Sequence, residues 1–332
     1  QQQRCVALVV PVKGFDKETT PAFFESILSQ RYSCYRLLLA VESAGDPVVS
    51  WLFEKYGINP DTQNWQPQKS GGPADVKMVI AGPCEKRGQK VHNQLAAFEL
   101  LQPADEIVAF ADADMLCGRD WLAKLVAPIN AGEYAVTTTY RWLVPKHSNQ
   151  ANLFASVINA SMATAGGYEL WNLLWGGSMA IQRTDFDELD VPGHLSGSLN
   201  DDLRLTKLVR PAGRMPGFVH SLLVPTPIDF DWAKFWEFGR RQYIQVRHFG
   251  PIIYPTSLAV TGLYTAGFLS SLAAVIAGVS LAWIPLSLVM ILDQSRAVFR
   301  RRIYRQLFDD EHVKLISKTV LLEHLATPLW MG

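Results

Sequence analysis

Through the first third of the chain, short apolar runs alternate with segments of helical spacing. Cys5 to Val12 is rich in Val and is ended by Pro11 and Gly14, which predicts a buried parallel strand. Thr20 to Gln30 places Phe23, Phe24, Ile27 and Leu28 on one helical face. Tyr35 to Val41 predicts the next strand and Pro47 to Tyr56 the next helix. Gly57 to Asp75 is polar and rich in Pro, Gly and Gln, and predicts a loop. Val76 to Ala81 reads as a third strand, Lys90 to Leu101 as a helix and Glu106 to Ala111 as a fourth strand. This alternation implies a mostly parallel sheet with helices on both faces.

Further along, the pattern changes. No Asp, Glu, Lys or Arg occurs between Arg247 and Asp293, and His248 to Leu292 is largely apolar. One membrane span needs about 20 such residues, so the run is long enough for two. Arg240, Arg241 and Arg247 precede it; Arg296, Arg300, Arg301, Arg302 and Arg305 follow it. Positive flanks mark the cytoplasmic side, so both ends are expected there. The turn would fall at Gly267 to Ser271 or at Gly278 to Ser280. A tilted re-entrant pair is the alternative. A buried hairpin of a soluble protein is the plainer one, and the complete lack of charge disfavours it. Val313 to Trp330 is apolar but broken by Lys314, Lys318, Glu323 and His324, which suits an amphipathic, interfacial segment.

With 332 residues the chain can bury a sizeable core. Its 31 basic and 31 acidic side chains cancel, so net charge favours no acidic partner. No basic stripe interleaved with aromatics is present, and nucleic acid is not an expected ligand. Cys5, Cys34, Cys84 and Cys117 show no C-x-x-C spacing, which argues against a zinc site or a redox pair. They read as single thiols of a reducing compartment, packed as small hydrophobes. The chain starts at Gln1 without Met, as a trimmed chain would, and Val6 to Val12 is too short for the apolar part of a signal peptide.

Sheets of this kind bind ligands at the carboxyl ends of their strands, so the polar residues there are the candidates. They are Lys13, Glu42 to Asp46, Gly82 to Gly88, and Asp112 to Asp114. Asp112-Ala113-Asp114 closes an apolar strand. If extended, it would turn two carboxylates to one point, as a hard divalent cation such as Mg2+ requires, against the alternative of a solvated turn. Asp46, just before Pro47, would accept from a base or ribose, or cap the helix that starts there. Lys90 and Asn93 lie one helical turn apart, within reach of a diphosphate or metal shell, or else on a solvated face. Trp175-Gly176-Gly177-Ser178 suggests close backbone approach to a ligand, or a tight turn. Asp201 and Asp202 stand at a predicted helix start, where carboxylates also suit the macrodipole.

In this order the groups resemble those of inverting family 2-like glycosyltransferases, and among them the ceramide glucosyltransferase branch. The resemblance spans Cys5 to Arg247 and the apolar region beyond. The first acidic motif of those enzymes is similar to Val41-Glu42-Ser43-Ala44-Gly45-Asp46-Pro47, and their Asp-x-Asp to Asp112-Ala113-Asp114. Their Gly-x-Ser step resembles Gly176-Gly177-Ser178, and their last acidic pair Asp201-Asp202, where Glu-Asp is commoner. Their Q/R-x-x-R-W element has no Arg-Trp pair here; the matching stretch, Phe238 to Arg247, offers Arg240 and Arg241. That departure argues against a polymer-extending synthase.

The resemblance implies a cytosolic, Rossmann-like GT-A α/β domain over 1–235 and a basic juxtamembrane segment over 236–250. A transmembrane hairpin would follow over 251–293, then a basic loop with a C-terminal amphipathic or membrane segment over 294–332. It implies a UDP-sugar donor, Mg2+ or Mn2+, a lipid hydroxyl as acceptor and an integral membrane protein with its catalytic domain facing the cytoplasm. Asp202 would be the base, with Asp201 close behind. Asp114 and Asp112 would hold metal and nucleotide. Asp46 and Glu42 would serve the uridine end, and Lys90, Asn93, Arg241 and Arg240 the diphosphate, near Gly177 and Ser178. A polysaccharide synthase of the same fold, a non-catalytic membrane scaffold and a soluble nucleotide-binding protein are the rival readings.

Overall fold

The computed structural model describes residues 3–62, 65, 72–164, 166–170, 172–250, 253–322 and 325. Parts of the predicted polar loop (63–64 and 66–71) and of the predicted C-terminal amphipathic segment (323–324 and 326–332) lie outside the described residues. The chain forms two compact units. One is Gln1–Tyr140 with Ala165–Val224, the other Arg141–Thr164 with Pro225–Gly332.

In chain order the elements begin β1 (Val6–Val12), α1 (Thr19–Ile27), β2 (Tyr35–Val41), α2 (Pro47–Tyr56), β3 (Asp75–Ile80) and α3 (Gln89–Phe98). Next come β4 (Ile107–Ala111), α4 (Trp121–Asn130), β5 (Val136–Thr138), β6 (Arg141–Pro145) and α5 (Gln150–Ala163). They continue with β7 (Ser178–Gln182), α6 (Arg183–Glu188), α7 (Val191–Leu195), α8 (Asp202–Val209), β8 (Gly217–Phe218) and β9 (Val224–Ile228). The chain then runs through α9 (Trp232–Phe249), α10 (Ile253–Ile276), α11 (Trp283–Leu307) and α12 (Asp310–Ser317).

The first unit is built on a seven-stranded sheet of order β3-β2-β1-β4-β7-β5-β8. β1, β2, β3 and β4 pair in parallel, as their unbroken apolar runs require, because both faces must be covered. β7 runs antiparallel to both β4 and β5, which makes the sheet mixed. Alternate residues divide between two cores. Val6, Leu8, Val10, Leu37, Leu39 and Ile107 meet Phe23 and Phe24 of α1, Val48 and Leu52 of α2, and Leu122 and Leu125 of α4. Ala7, Val9, Leu38, Val108 and Phe110 meet Val91 of α3, Phe186 of α6, Leu195 of α7 and Leu205 of α8. The strand order reverses between β1 and β4, and open α/β sheets bind ligands outside the carboxyl ends of the strands at such a reversal.

The expectation of four separate thiols is corrected here. Cys5 and Cys34 form a disulfide, with their Cα atoms 4.7 Å apart. Each immediately precedes a strand, and the register pairs Val6 with Tyr35, so parallel pairing of β1 with β2 brings the two thiols together. Their 29-residue separation hid this from motif spacing. Cys84 and the buried Cys117 are free.

In the second unit β6 and β9 form a two-stranded sheet. Leu143, Ala151, Ala155, Ile228 and Phe235 pack into its core. α10 and α11 are joined at 277–282, where Gly278 takes a positive φ of 72°, so the second of the two expected turn positions is the one used. Among the described residues only α10 is long and apolar enough to cross a membrane, with mean hydropathy 1.6 and 6% of its apolar window buried. α11 begins apolar but acquires Asp293, Arg296 and Arg300 to Arg302. Asp293 is buried, accepts a hydrogen bond from the Tyr264 hydroxyl and pairs with Arg296 at 3.1 Å. Arg300, expected on a basic flank, is buried and donates to Thr164 Oγ1 at 3.3 Å and Ser161 Oγ at 3.2 Å.

Candidate active site

β4 ends at Ala111, whose register partner on β7 is Ser178, so Gly176 and Gly177 arrive beside Asp112. The Asp112 amide donates to Gly177 O at 3.3 Å. The segment does not stay extended. Met115 N donates back to Asp112 O at 3.4 Å and closes a turn through Ala113 and Asp114. The two carboxylates are therefore not paired by strand alternation: Asp112 is half-buried and Asp114 exposed.

Lys90, in the first turn of α3, bridges two distant parts of the chain. Its Nζ lies 2.8 Å from Asp112 Oδ1 and 2.9 Å from Asp201 Oδ2. One turn further along the same helix, Gln94 Nε2 donates to Asp201 Oδ2 at 2.7 Å. Asp202 opens α8 and accepts from Gly176 N at 3.2 Å and Leu203 N at 2.6 Å. The paired glycines are required by this crowding. A Cβ on Gly176 would stand 2.5 and 2.7 Å from the Asp201 carboxylate oxygens and 2.7 Å from Lys90 Nζ. One on Gly177 would meet the Trp175 indole and stand 2.8 Å from Asp112 Oδ2.

The electrostatics separate the adjacent carboxylates. Burial opposes the charge on Lys90, but Asp112, Asp201 and Asp202 outweigh it and raise its pKa above the ordinary lysine value. Burial alone would raise Asp201, yet Lys90 and the hydrogen bond from Gln94 hold it below the usual aspartate range. For Asp202, burial comes first and the Asp201 charge second, and together they push its pKa up to about 6. Two neighbouring carboxylates whose environments drive their pKa values apart form the pattern expected of an acid–base site.

The other candidates occupy varied places. Glu42 pairs with Lys13 at 3.0 Å. Asp46 caps α2 through Val48 N at 3.0 Å and also accepts from Gly14 N at 2.8 Å, so both its oxygens meet backbone. Asn93 is buried, accepts from Gln89 Nε2 at 2.8 Å and donates to Ala40 O at 3.4 Å. Ser178 is fully buried and its Oγ accepts from Trp121 Nε1 at 2.9 Å. Arg240 and Arg241 are exposed on α9, in the second unit, and do not belong to the unit that holds the acidic cluster. Gln94 was not singled out by sequence; its helical spacing of four from Lys90 was the available signal. Among the described residues no three His, Cys, Asp or Glu side chains converge as a metal-binding group.

The α/β, GT-A-like fold is shared with a solved mannosyltransferase, and a further solved structure is similar at a lower score. The mannosyltransferase PcManGT from Pyrobaculum calidifontis, in complex with GDP-Man and Mn2+, is 16% identical, with a TM-score of 0.52 over 99% of this chain and 87% of that one. Glucosyl-3-phosphoglycerate synthase from Mycobacterium tuberculosis, in complex with Mn2+ and UDP-glucose, is 15% identical, with a TM-score of 0.45 over 74% of this chain and 79% of that one. No curated protein matches the sequence. The model of glycosyl transferase family 21 matches residues 1–331, essentially end to end, and the chain belongs to that family of glycosyltransferases.

Proposed function

We propose that this glycosyltransferase moves a hexose from a UDP-sugar, UDP-glucose in the first instance, to the hydroxyl of a ceramide-like lipid at the cytosolic face of a membrane, inverting the anomeric carbon. The observation that carries the reading is the split acidic pair: Asp202 poised near neutrality beside an ionised Asp201, at the carboxyl edge of the sheet. In the reaction the acceptor oxygen bonds to the anomeric carbon as the bond from that carbon to the diphosphate breaks. The hydroxyl proton passes to Asp202, and the nucleoside diphosphate departs. Lys90, held between Asp112 and Asp201, supports negative charge at the diphosphate, with Arg241 and Arg240 as further candidates for that contact. Asp46 and Glu42, beyond β2, serve the nucleoside end.

The donor set at the end of β4 fits a hard divalent cation. Asp112 and Asp114 offer carboxylate oxygens, half-buried and exposed respectively, of the hard kind such an ion prefers. With only two carboxylates, the remaining ligands of Mg2+ or Mn2+ would be water and phosphate oxygens. When bound, the ion would neutralise charge growing on the leaving diphosphate.

α10 supports the choice of a lipid acceptor. A core helix of that composition would be buried, whereas Leu258, Val260, Leu263, Leu269 and Ile276 are exposed. A lipid bilayer is the solvent that suits such a surface.

The test offers the detergent-extracted enzyme UDP-glucose and ceramide vesicles, with product read by mass spectrometry. Hexosyl-ceramide and UDP should form together, EDTA should stop the reaction, and added Mn2+ should restore it. Asp114→Ala should lose both transfer and UDP binding. Full transfer by Asp114→Ala in EDTA would overturn the metal assignment, and no transfer to any lipid hydroxyl would overturn the acceptor.

A further inference from the structure

We infer that Gln94 is a positioning residue for the transfer reaction: its side-chain amide fixes Asp201, so that Asp202 alone is left to take the acceptor proton. The inference rests on the transfer reading above and adds a residue to it.

Gln94 is fully buried on α3, four residues after Lys90, so both side chains leave the same helical face. Both donate to one atom, Asp201 Oδ2, Lys90 from 2.9 Å and Gln94 from 2.7 Å. The other end of the amide is left unsatisfied: Gln94 Oε1 is buried without a hydrogen-bond partner. A buried unpaired carbonyl is unfavourable, and an apolar side chain of similar volume would avoid it. Turning the amide over would set its oxygen against the Asp201 carboxylate, which is worse. The sequence thus keeps a costly group whose single polar contact is Asp201.

Two donors on one oxygen hold the Asp201 carboxylate in one orientation, above Gly176, where there is no room for a Cβ. The next residue, Asp202, then meets a fixed negative neighbour. The charged groups facing Asp202 are Asp201 from its own segment and Lys90 from α3, with the Gly176 amide from the strand preceding turn. Asp112 reaches this network only through Lys90. Without the Gln94 amide the doubly ionised pair loses a donor. Its upper ionisation, a property of the coupled pair, should then move to higher pH, and Asp201 would compete for the proton.

The experiment replaces Gln94 by Met, which keeps the length but has no N–H, and by Glu, which keeps the shape but sets a second carboxyl against Asp201. UDP binding by calorimetry, thermal melting, and the pH dependence of kcat and kcat/KM are measured on the detergent-solubilised full chain. Gln94→Met should bind UDP normally and lose about 10²-fold in kcat, the order of loss seen when a reacting group is misplaced. Its acid limb should lie at higher pH than that of the unmutated enzyme, and Gln94→Glu should lose more. A folded Gln94→Met with normal kcat and an unmoved acid limb overturns the inference. So does loss of fold in both variants, since the amide would then be purely structural. Absence of transfer by the unmutated enzyme with every nucleotide sugar sinks the transfer reading instead, and the two failures are told apart by that control.

Discussion

At the scale of single residues, the proposed chemistry depends on which carboxylate is free to accept a proton. Asp202, with its pKa raised to about 6, is ionised and able to act as base above that pH, and protonated and idle below it. Transfer should therefore fall as pH drops through about 6, well above the usual aspartate range. Asp202→Asn should lose about 10²- to 10⁴-fold in turnover, the usual weight of a positioned base, and should lose the acid limb as well. UDP binding, which does not need that proton, should stay near normal. Single-turnover rates across pH, with calorimetry on the same preparations, check this; if Asp202→Asn keeps its rate while Asp201→Asn loses it, the base is Asp201. Much of the cluster was legible in sequence because acidic residues at strand ends and helix starts stand out against apolar runs. The turn at Asp112 to Met115 was not, since period-two alternation holds only while the strand continues. Nor was the double pairing of Lys90, because Asp201 returns to α3 more than a hundred positions later, with nothing local to announce it.

Among the elements, β1 to β4 and the helices between them were readable because each strand is a short apolar run closed by turn residues. The first unit's return strand was not: β7 lies antiparallel in the middle of the sheet after an excursion into the other unit, and no local period encodes that. The disulfide belongs to the same class. Its partners are neighbours only because β1 pairs with β2, at the amino ends of those strands and so away from the acidic cluster. Closing a 29-residue separation removes unfolded-chain entropy worth about 3–4 kcal/mol on the loop-entropy estimate. In protein purified and oxidised in air, replacing Cys5 and Cys34 together by Ala should lower the melting temperature accordingly and leave UDP affinity almost unchanged. Thermal denaturation in detergent, with calorimetry below the transition, measures both. A variant that melts normally shows that the bond is not formed in solution, and one that loses UDP binding while folded shows that the staple supports the site directly.

For the whole molecule, the proposed membrane setting raises the question of which side each part would meet. α10 is about 36 Å long, enough for a hydrocarbon core of about 30 Å. The apolar start of α11, Trp283 to Leu292, covers only about 15 Å before Asp293. A return crossing through α11 must therefore carry Asp293 and Arg296 into an apolar region. The chain supplies the partners: Asp293 is buried, paired with Arg296 and bonded by the Tyr264 hydroxyl of α10. Neutralised pairs that face a neighbouring helix are the form in which such charges enter a bilayer. With basic residues before α10 and after this pair, Arg247 and Arg301 should lie on one side, the cytoplasmic one. Cys5 and Cys34, disulfide-bonded in this structure, would then share a reducing compartment, where disulfides rarely persist. Arg247→Cys and Arg301→Cys should each add labelling by an impermeant maleimide over the unmutated chain only when the cytoplasmic face is opened. In the same cells Cys5 and Cys34 should be captured as alkylated thiols by mass spectrometry. Labelling of the two engineered positions from opposite faces would leave α10 as a single crossing. Joint labelling from outside, with Cys5 and Cys34 recovered oxidised, would overturn the cytoplasmic placement and move the proposed donor and acceptor to the oxidising side.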